Sequence, residues 1–185
     1  MRIGIDVDGV LAGFVEGFTD QAVKLGLTDH AYTSAEQQIW KFPFETKEVW
    51  KHIRSTHNWW SGLPLLLTDA EVELLNQLTN DHSIYYITSR PHTQGDSAEL
   101  QVFDWLTAHG IDATIHNIVS VGSRLKSSVC DQWGIELAID DHVKNLKDYQ
   151  DHGIVAVART WPYNMEWEGD RVDSLQEFIE RYCEQ

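Results

Sequence analysis

The sequence predicts an α/β protein: a central parallel sheet of about five strands, helices on both faces, and a small helical cap inserted after strand one. Three observations predict it. Short apolar runs bounded by turn residues alternate with helix-period segments, the pattern of a parallel sheet covered on both sides. Two of those runs end in paired acids, Asp6-Val7-Asp8-Gly9 and Asp140-Asp141, which gathers carboxylates at strand ends. The stretch between the first two strands is far longer than a crossover needs, so it must hold structure of its own.

The first strand is read at Arg2–Val7, where Ile3, Ile5 and Val7 alternate with small or charged residues. Gly9 then permits a sharp turn. Asp6 and Asp8 fall at the carboxyl end of this strand, where open α/β sheets bind ligands. Two carboxylates held so close repel, and burying both is costly unless a cation lies between them, which suggests a Mg²⁺ site beside a reactive Asp. In the insertion, Phe14–Lys24 and Glu45–Ser55 read as its main helices and Asn58–Pro64 as the link back to the core. Asp69–Leu78 reads as the crossover helix.

The second strand, Ser83–Thr88, runs into Ser89-Arg90-Pro91, whose hydroxyls and backbone N–H groups suit phosphate oxygens. Ser97–His109 is expected as a helix with Leu100, Phe103, Trp105 and Leu106 near one face, stopped by Gly110. After a third strand at Asn117–Val121 comes Gly122-Ser123-Arg124-Leu125-Lys126, with Lys126 near the start of a helix over 126–133. A lysine there opposes the helix dipole unless an anion lies nearby. The fourth strand, Glu136–Ile139, delivers Asp140 and Asp141 to the same sheet edge as Asp6 and Asp8. Helices over 142–152 and 174–182, a fifth strand at Ile154–Ala158, and a turn at Trp161-Pro162-Tyr163-Asn164 placed to close over that edge complete the series. His142, next to Asp141, reads either as a neighbour of the site or, more commonly for such a residue, as a surface histidine.

The 185 residues suffice for one core with an insertion, and a net charge of −15 repels a nucleic-acid backbone, which argues against polymeric nucleic acid as a partner. No window is apolar enough for a membrane span, and the chain opens on a strand with no basic-then-apolar leader. Cys130 and Cys183 lack metal-ligand spacing and read as free thiols. A cytoplasmic protein is the expectation.

Taken in order, Asp6-Val7-Asp8-Gly9-Val10, Thr88, Lys126 and Asp140-Asp141 resemble the four-part signature of the haloacid-dehalogenase (HAD) superfamily of phosphohydrolases, over nearly the whole chain. The insertion matches the superfamily's cap between its first and second motifs. Within it the chain is most similar to the 5′(3′)-deoxyribonucleotidases, on Asp6–Val10, Ile87-Thr88-Ser89, the helix bearing Trp105, and Ile139-Asp140-Asp141. It departs from them at Arg90-Pro91-His92 and across the cap.

The resemblance implies a three-layer Rossmann-like core (residues 1–12 and 81–185), a cap (13–80), and Mg²⁺-dependent hydrolysis of phosphomonoesters through an aspartyl-phosphate. Asp6 would be the nucleophile and Asp8 the general acid and base. Thr88, Ser89 and Lys126 would bind the phosphoryl group. Mg²⁺ would be held by Asp6, the Asp8 carbonyl and Asp141, with Asp140 a ligand or an outer-shell group. The implied partner is a small phosphorylated substrate, a nucleoside monophosphate, with a homodimer left open. Phe14, Phe18 and either Trp59 or Trp60, where the chain enters and leaves the cap, are candidates to stack on its base, and Arg90 is a further substrate-binding candidate. A phosphatase of sugar or other metabolite phosphates is the alternative. A phospho-acceptor signalling domain is disfavoured because such domains place the acceptor Asp after a middle strand and lack a long cap.

Overall fold

The computed structural model describes residues 1–121 and 125–184. β1 (Arg2–Asp6) is followed by α1 (Phe14–Lys24), α2 (Thr46–Ser55), a 3-10 turn over Trp59–Gly62, and α3 (Asp69–Leu78). Then come β2 (Ser83–Thr88), α4 (Ala98–Ala108), β3 (Ile118–Ser120), α5 (Ser127–Trp133), β4 (Leu137–Asp140), α6 (Val143–Asp151), β5 (Val155–Arg159), β6 (Arg171–Val172) and α7 (Leu175–Tyr182).

The strands form one parallel sheet in the order β3-β2-β1-β4-β5-β6. β1 sits inside it, with Ile3 opposite both Ile84 and Leu137, and Ile3 and Ile5 are fully buried. Ile3 and Ile5 share one face of the sheet, and on the other a Cβ at Gly4 would come within 3.1 Å of Ile87 and 3.3 Å of Ile135. The sheet has six strands rather than about five. β6 is a two-residue pairing on β5, too short to leave an alternating pattern in the sequence.

The buried face of α4 is Ala98, Gln101, Val102, Trp105 and Leu106, whereas Leu100 is exposed. Gln101 takes the inward position because it has work there. Its amide donates to Thr93 Oγ1 (2.9 Å) and the Asp96 carbonyl (2.8 Å), and its oxygen accepts from Trp60 N (3.2 Å). α3 packs on α7, as a crossover helix should. Glu71 joins them: it closes the capping box with Thr68 and accepts from Leu175 N at 2.9 Å.

Between α1 and α2, residues 25–45 form neither helix nor strand. They are held by polar contacts, Glu16 taking Ser34 N at 2.6 Å, and by ring packing of Phe42 and Phe44 against Phe18. No helix among the described residues is long and apolar enough to cross a membrane. Cys130 and Cys183 are buried free thiols.

Candidate active site

Parallel pairing places the last residues of β1, β2 and β4 on one edge: Asp6 lies opposite Ile87, and Asp140 ends β4 one step beyond the Ile5–Ile139 pair. The chain leaves β1 through a tight loop in which Leu11 N and Ala12 N both donate to the Val7 carbonyl. Gly9 has φ +89°, and a Cβ there would come within 2.1 Å of Asp141 Oδ2. Glycine is thus required twice, by conformation and by space.

Asp6, Asp140 and Asp141 are all buried, and an oxygen from each lies within 4.8 Å of the others. Lys126 reaches into this cluster, its Nζ 2.6 Å from Asp6 Oδ1 and 2.8 Å from Asp140 Oδ2. These carboxylates are the anions that offset a lysine at the start of α5. With no cap of its own, α5 borrows one from α6: Asp148 accepts from Ser127 N (3.0 Å) and Ser127 Oγ (2.9 Å). Residues 122–124 of the segment leading to Lys126 lie outside the described residues.

The two adjacent acids have different surroundings. Asp140 is saturated, accepting from Lys126, Asn145 Nδ2, His142 N and Tyr149 O–H. Asp141 has one strong donor, the Tyr163 hydroxyl at 2.5 Å from Oδ2, while Asn164 Nδ2 holds its backbone carbonyl. The turn after β5 therefore does close over the edge, and Trp161 Nε1 also donates to the Gly9 carbonyl at 2.7 Å.

One ammonium faces three carboxylates. Burial, then the neighbouring Asp140, pushes the Asp6 carboxyl well above its usual range against the pull of Lys126. Burial and Asp140 push Asp141 up to about 7, against the Tyr163 hydrogen bond and Lys126. The Lys126 ammonium is held above its ordinary value: burial opposes it, and Asp140 and Asp6 outweigh burial. A cluster so short of positive charge, built only of hard oxygen donors, fits Mg²⁺.

Asp8 stands next to the cluster with its side chain one-fifth exposed. Thr88 Oγ1 donates to its Oδ2 at 2.9 Å, and Arg90 forks onto it, Nε to Oδ2 and Nη2 to Oδ1, both at 2.9 Å. Thr88 and Arg90, expected on the substrate, thus both bond Asp8.

Above the acids lies a cavity of about 540 Å³. Its floor includes Asp6, Asp8, Lys126 and Asp141, and Ser89 stands exposed on its rim. Its upper wall is aromatic: Phe14, Trp40, Phe42, Phe44, Trp50 and Trp60. Of the rings expected at the substrate, Phe14 and Trp60 line this cavity. Phe18 does not line the cavity. It is fully buried behind Phe14, clamped by Phe42, Phe44 and Trp50, in one apolar cluster with Ala22, Val49 and Ile53. Trp59 faces a separate hollow with Lys24 and His57, since the 3-10 turn sends adjacent side chains to different sides.

Trp40, Phe42, Phe44 and Trp50, not among the residues expected at the substrate, prove to be lining residues, as do Lys41, Glu45 and Thr46. His142, partly buried, is a neighbour of the site. It caps α6 by accepting from Lys144 N, lines the cavity and meets the Trp40 ring edge-on at 5.3 Å. Its burial lowers its pKa.

A six-stranded parallel sheet with four acids and a lysine at its carboxyl edge, and an insertion over them after β1, is the haloacid-dehalogenase fold seen in solved structures similar to this one. Residues 1–182 match the family described as 5′ nucleotidase, deoxy (pyrimidine), cytosolic type C protein. The chain belongs to this nucleotidase family.

Among solved structures it is similar to a HAD family hydrolase from Deinococcus radiodurans R1 with bound phosphate and sodium (TM-score 0.63, 15% identity, covering 96% of this chain and 92% of that one). A haloacid dehalogenase-like hydrolase from Streptococcus pneumoniae is similar as well (TM-score 0.60, 14% identity, 97% and 96% covered). At these identities the likeness is one of fold. No curated protein matches the chain.

Proposed function

We propose that the protein is a Mg²⁺-dependent phosphomonoester hydrolase acting through an aspartyl-phosphate on Asp6, with a (deoxy)nucleoside monophosphate as substrate. The observation that carries this reading is Lys126 bridging Asp6 and Asp140 beside Asp141 and Asp8, on the floor of an aromatic cavity. Asp6 Oδ2 makes no hydrogen bond among the described residues and serves as the attacking oxygen. As the Asp6–phosphorus bond forms, the ester P–O bond breaks and the leaving oxygen takes a proton from Asp8. Water then attacks phosphorus, Asp8 takes a proton back, and inorganic phosphate leaves with Asp6 restored.

Asp6, Asp141 and the Asp8 carbonyl would hold Mg²⁺, which when bound supplies positive charge against the phosphoryl oxygens. Asp140, already saturated, holds Lys126 in place, and Lys126 and Ser89 receive the phosphoryl group. Residues 13–80 serve as the cap, whose rings stack on the nucleobase, an interaction worth ~1–3 kcal/mol. Buried reduced thiols fit a cytoplasmic enzyme.

Phosphate release from a panel of nucleotides, sugar phosphates and aryl phosphates, with and without Mg²⁺, tests the reading. Expected is metal-dependent turnover that is fastest on nucleoside monophosphates. Faster turnover of sugar phosphates would overturn the substrate assignment, and absence of release from every ester would overturn the chemistry.

A further inference from the structure

We propose that Arg90 is a positioning residue for Asp8, with the Trp60 ring as its backing surface. The Arg90 side chain is wholly buried, an environment that is costly for a guanidinium without a partner. Its partner is the Asp8 carboxylate, gripped at both oxygens by the Nε and Nη2 fork, with Thr88 adding a second donor to Oδ2. A two-pronged planar contact fixes the plane of a carboxylate as well as its distance, which a single ammonium does not.

Behind the fork, the guanidinium carbon lies 5.0 Å from the centre of the Trp60 ring. Trp60 is itself pinned, its Nε1 donating to the Pro91 carbonyl at 3.0 Å and its backbone N to Gln101. The third guanidinium nitrogen, Nη1, is buried with no hydrogen-bond partner among the described residues. Arg90 also lines the cavity, and both of its nitrogens that make a hydrogen bond, Nε and Nη2, spend it on Asp8. The stack Trp60–Arg90–Asp8 connects the segment where the chain leaves the cap to the side chain that faces the ester. Asp8 keeps one-fifth of its side chain open toward the cavity, so what the fork fixes is the direction of its remaining lone pairs.

This inference rests on the phosphohydrolase reading and assigns Arg90 to departure of the leaving group rather than to capture of the phosphate. The test measures kcat and KM for Arg90→Lys and Arg90→Gln on a nucleoside monophosphate and on aryl phosphates graded in the acidity of the departing phenol. An acidic phenol leaves without a proton, while an alkoxide needs one from a well-aimed Asp8. Expected is a loss in kcat of about 100-fold on the nucleotide, within the usual worth of a positioned acid, shrinking along the series toward wild type on the most acidic phenol, with KM nearly unchanged. Joining Arg90→Gln to Asp8→Asn should add almost nothing to Asp8→Asn alone, and guanidinium ion should restore part of the activity of Arg90→Ala.

An equal loss on every ester, or a loss carried by KM, would overturn the proposal, the second by making Arg90 a direct substrate contact. Loss of the folded state in both Arg90→Lys and Arg90→Gln, seen by thermal melting, would overturn it too by making the residue structural. An inert wild type would instead remove the phosphohydrolase reading, and this inference with it.

Discussion

The floor and the roof of the cavity are built on different principles. On the floor, the polar side chains sit at strand ends or, for Lys126, at the start of α5, and are held by directional hydrogen bonds. Asp140 accepts from four residues, and Lys126 spans two acids. The roof is made of rings in contact, Phe14 stacked near Trp50 at 5.9 Å and near Trp60 at 6.2 Å, carried partly by a segment with no regular structure. Directional bonds at a rigid sheet edge fix atoms to fractions of an ångström, as chemistry requires. Ring packing is non-directional and tolerates other shapes, as choice among substrates requires.

The sharpest break of this comparison is at the floor. Asp6→Asn keeps the shape of the side chain and removes the nucleophile. Turnover should fall by a factor of about 10⁴ or more while the melting temperature holds or rises, since a buried carboxylate repelled by Asp140 is gone. Activity near wild type in a folded Asp6→Asn protein would show that the floor does not do the chemistry.

At the roof the effect should be smaller and of another kind. Phe14→Ala removes a ring that lines the cavity, and KM for a nucleoside monophosphate should rise about tenfold, the equivalent of ~1.4 kcal/mol of lost stacking. Because Phe14 also packs on Phe18, p-nitrophenyl phosphate serves as the control. Its kcat should stay within about threefold of wild type. A fall in kcat equal on both esters would erase the distinction between roof and floor.

The same difference governs what the sequence discloses. Asp6, Asp8, Thr88, Lys126 and Asp140–Asp141 are legible because each follows an apolar strand, and parallel pairing brings all such ends to one edge. The insertion between β1 and β2 was legible as an excess of chain, and α1 and α2 lie where helices were expected in it. The wall formed by Trp40, Phe42 and Phe44 was not, since rings in an irregular segment carry no period that tells inward from outward. Nor was the division of labour on the floor. Whether Thr88 and Arg90 face the substrate or Asp8, and whether Tyr163 reaches Asp141, depends on packing between residues distant along the chain. β6 and the inward turn of Gln101 were invisible for a similar reason: both are set by tertiary partners and leave little local pattern.

A third region, away from both surfaces, sharpens the contrast. Glu71 is buried, yet its carboxyl is held below the usual range: burial opposes ionisation, and donors from Thr68, Gln176 and Leu175 outweigh it. Glu71→Gln should cost ~1–3 kcal/mol of stability near neutral pH and leave kcat and KM unchanged. A depressed carboxylate contributes stability above its unfolded pKa and loses it as pH falls through the folded one, so the gap between wild type and variant should close in acid. Denaturant melts at pH 7 and below pH 4 measure it. A gap that widens in acid would contradict the assignment.

The smallest effect expected is a pH-dependent response to Mg²⁺ alone. Asp141, raised by burial and Asp140 to about 7, binds a proton more tightly in the folded state than in the unfolded one. For a raised acid the stabilising contribution is complete below the unfolded pKa and is lost as pH rises through the folded value, so this group makes the metal-free protein less stable from about pH 4 up to about 7. A divalent ion acts in the opposite sense, since it binds the deprotonated carboxylate and stabilises the folded state by mass action. The rise in Tm on adding Mg²⁺ should therefore be small at pH 6 and grow by a few degrees at pH 8. Asp141→Asn should flatten that trend, whereas Phe14→Ala should leave it intact. An Mg²⁺ response equal at both pH values would mean that the acids of the floor are not what the ion meets.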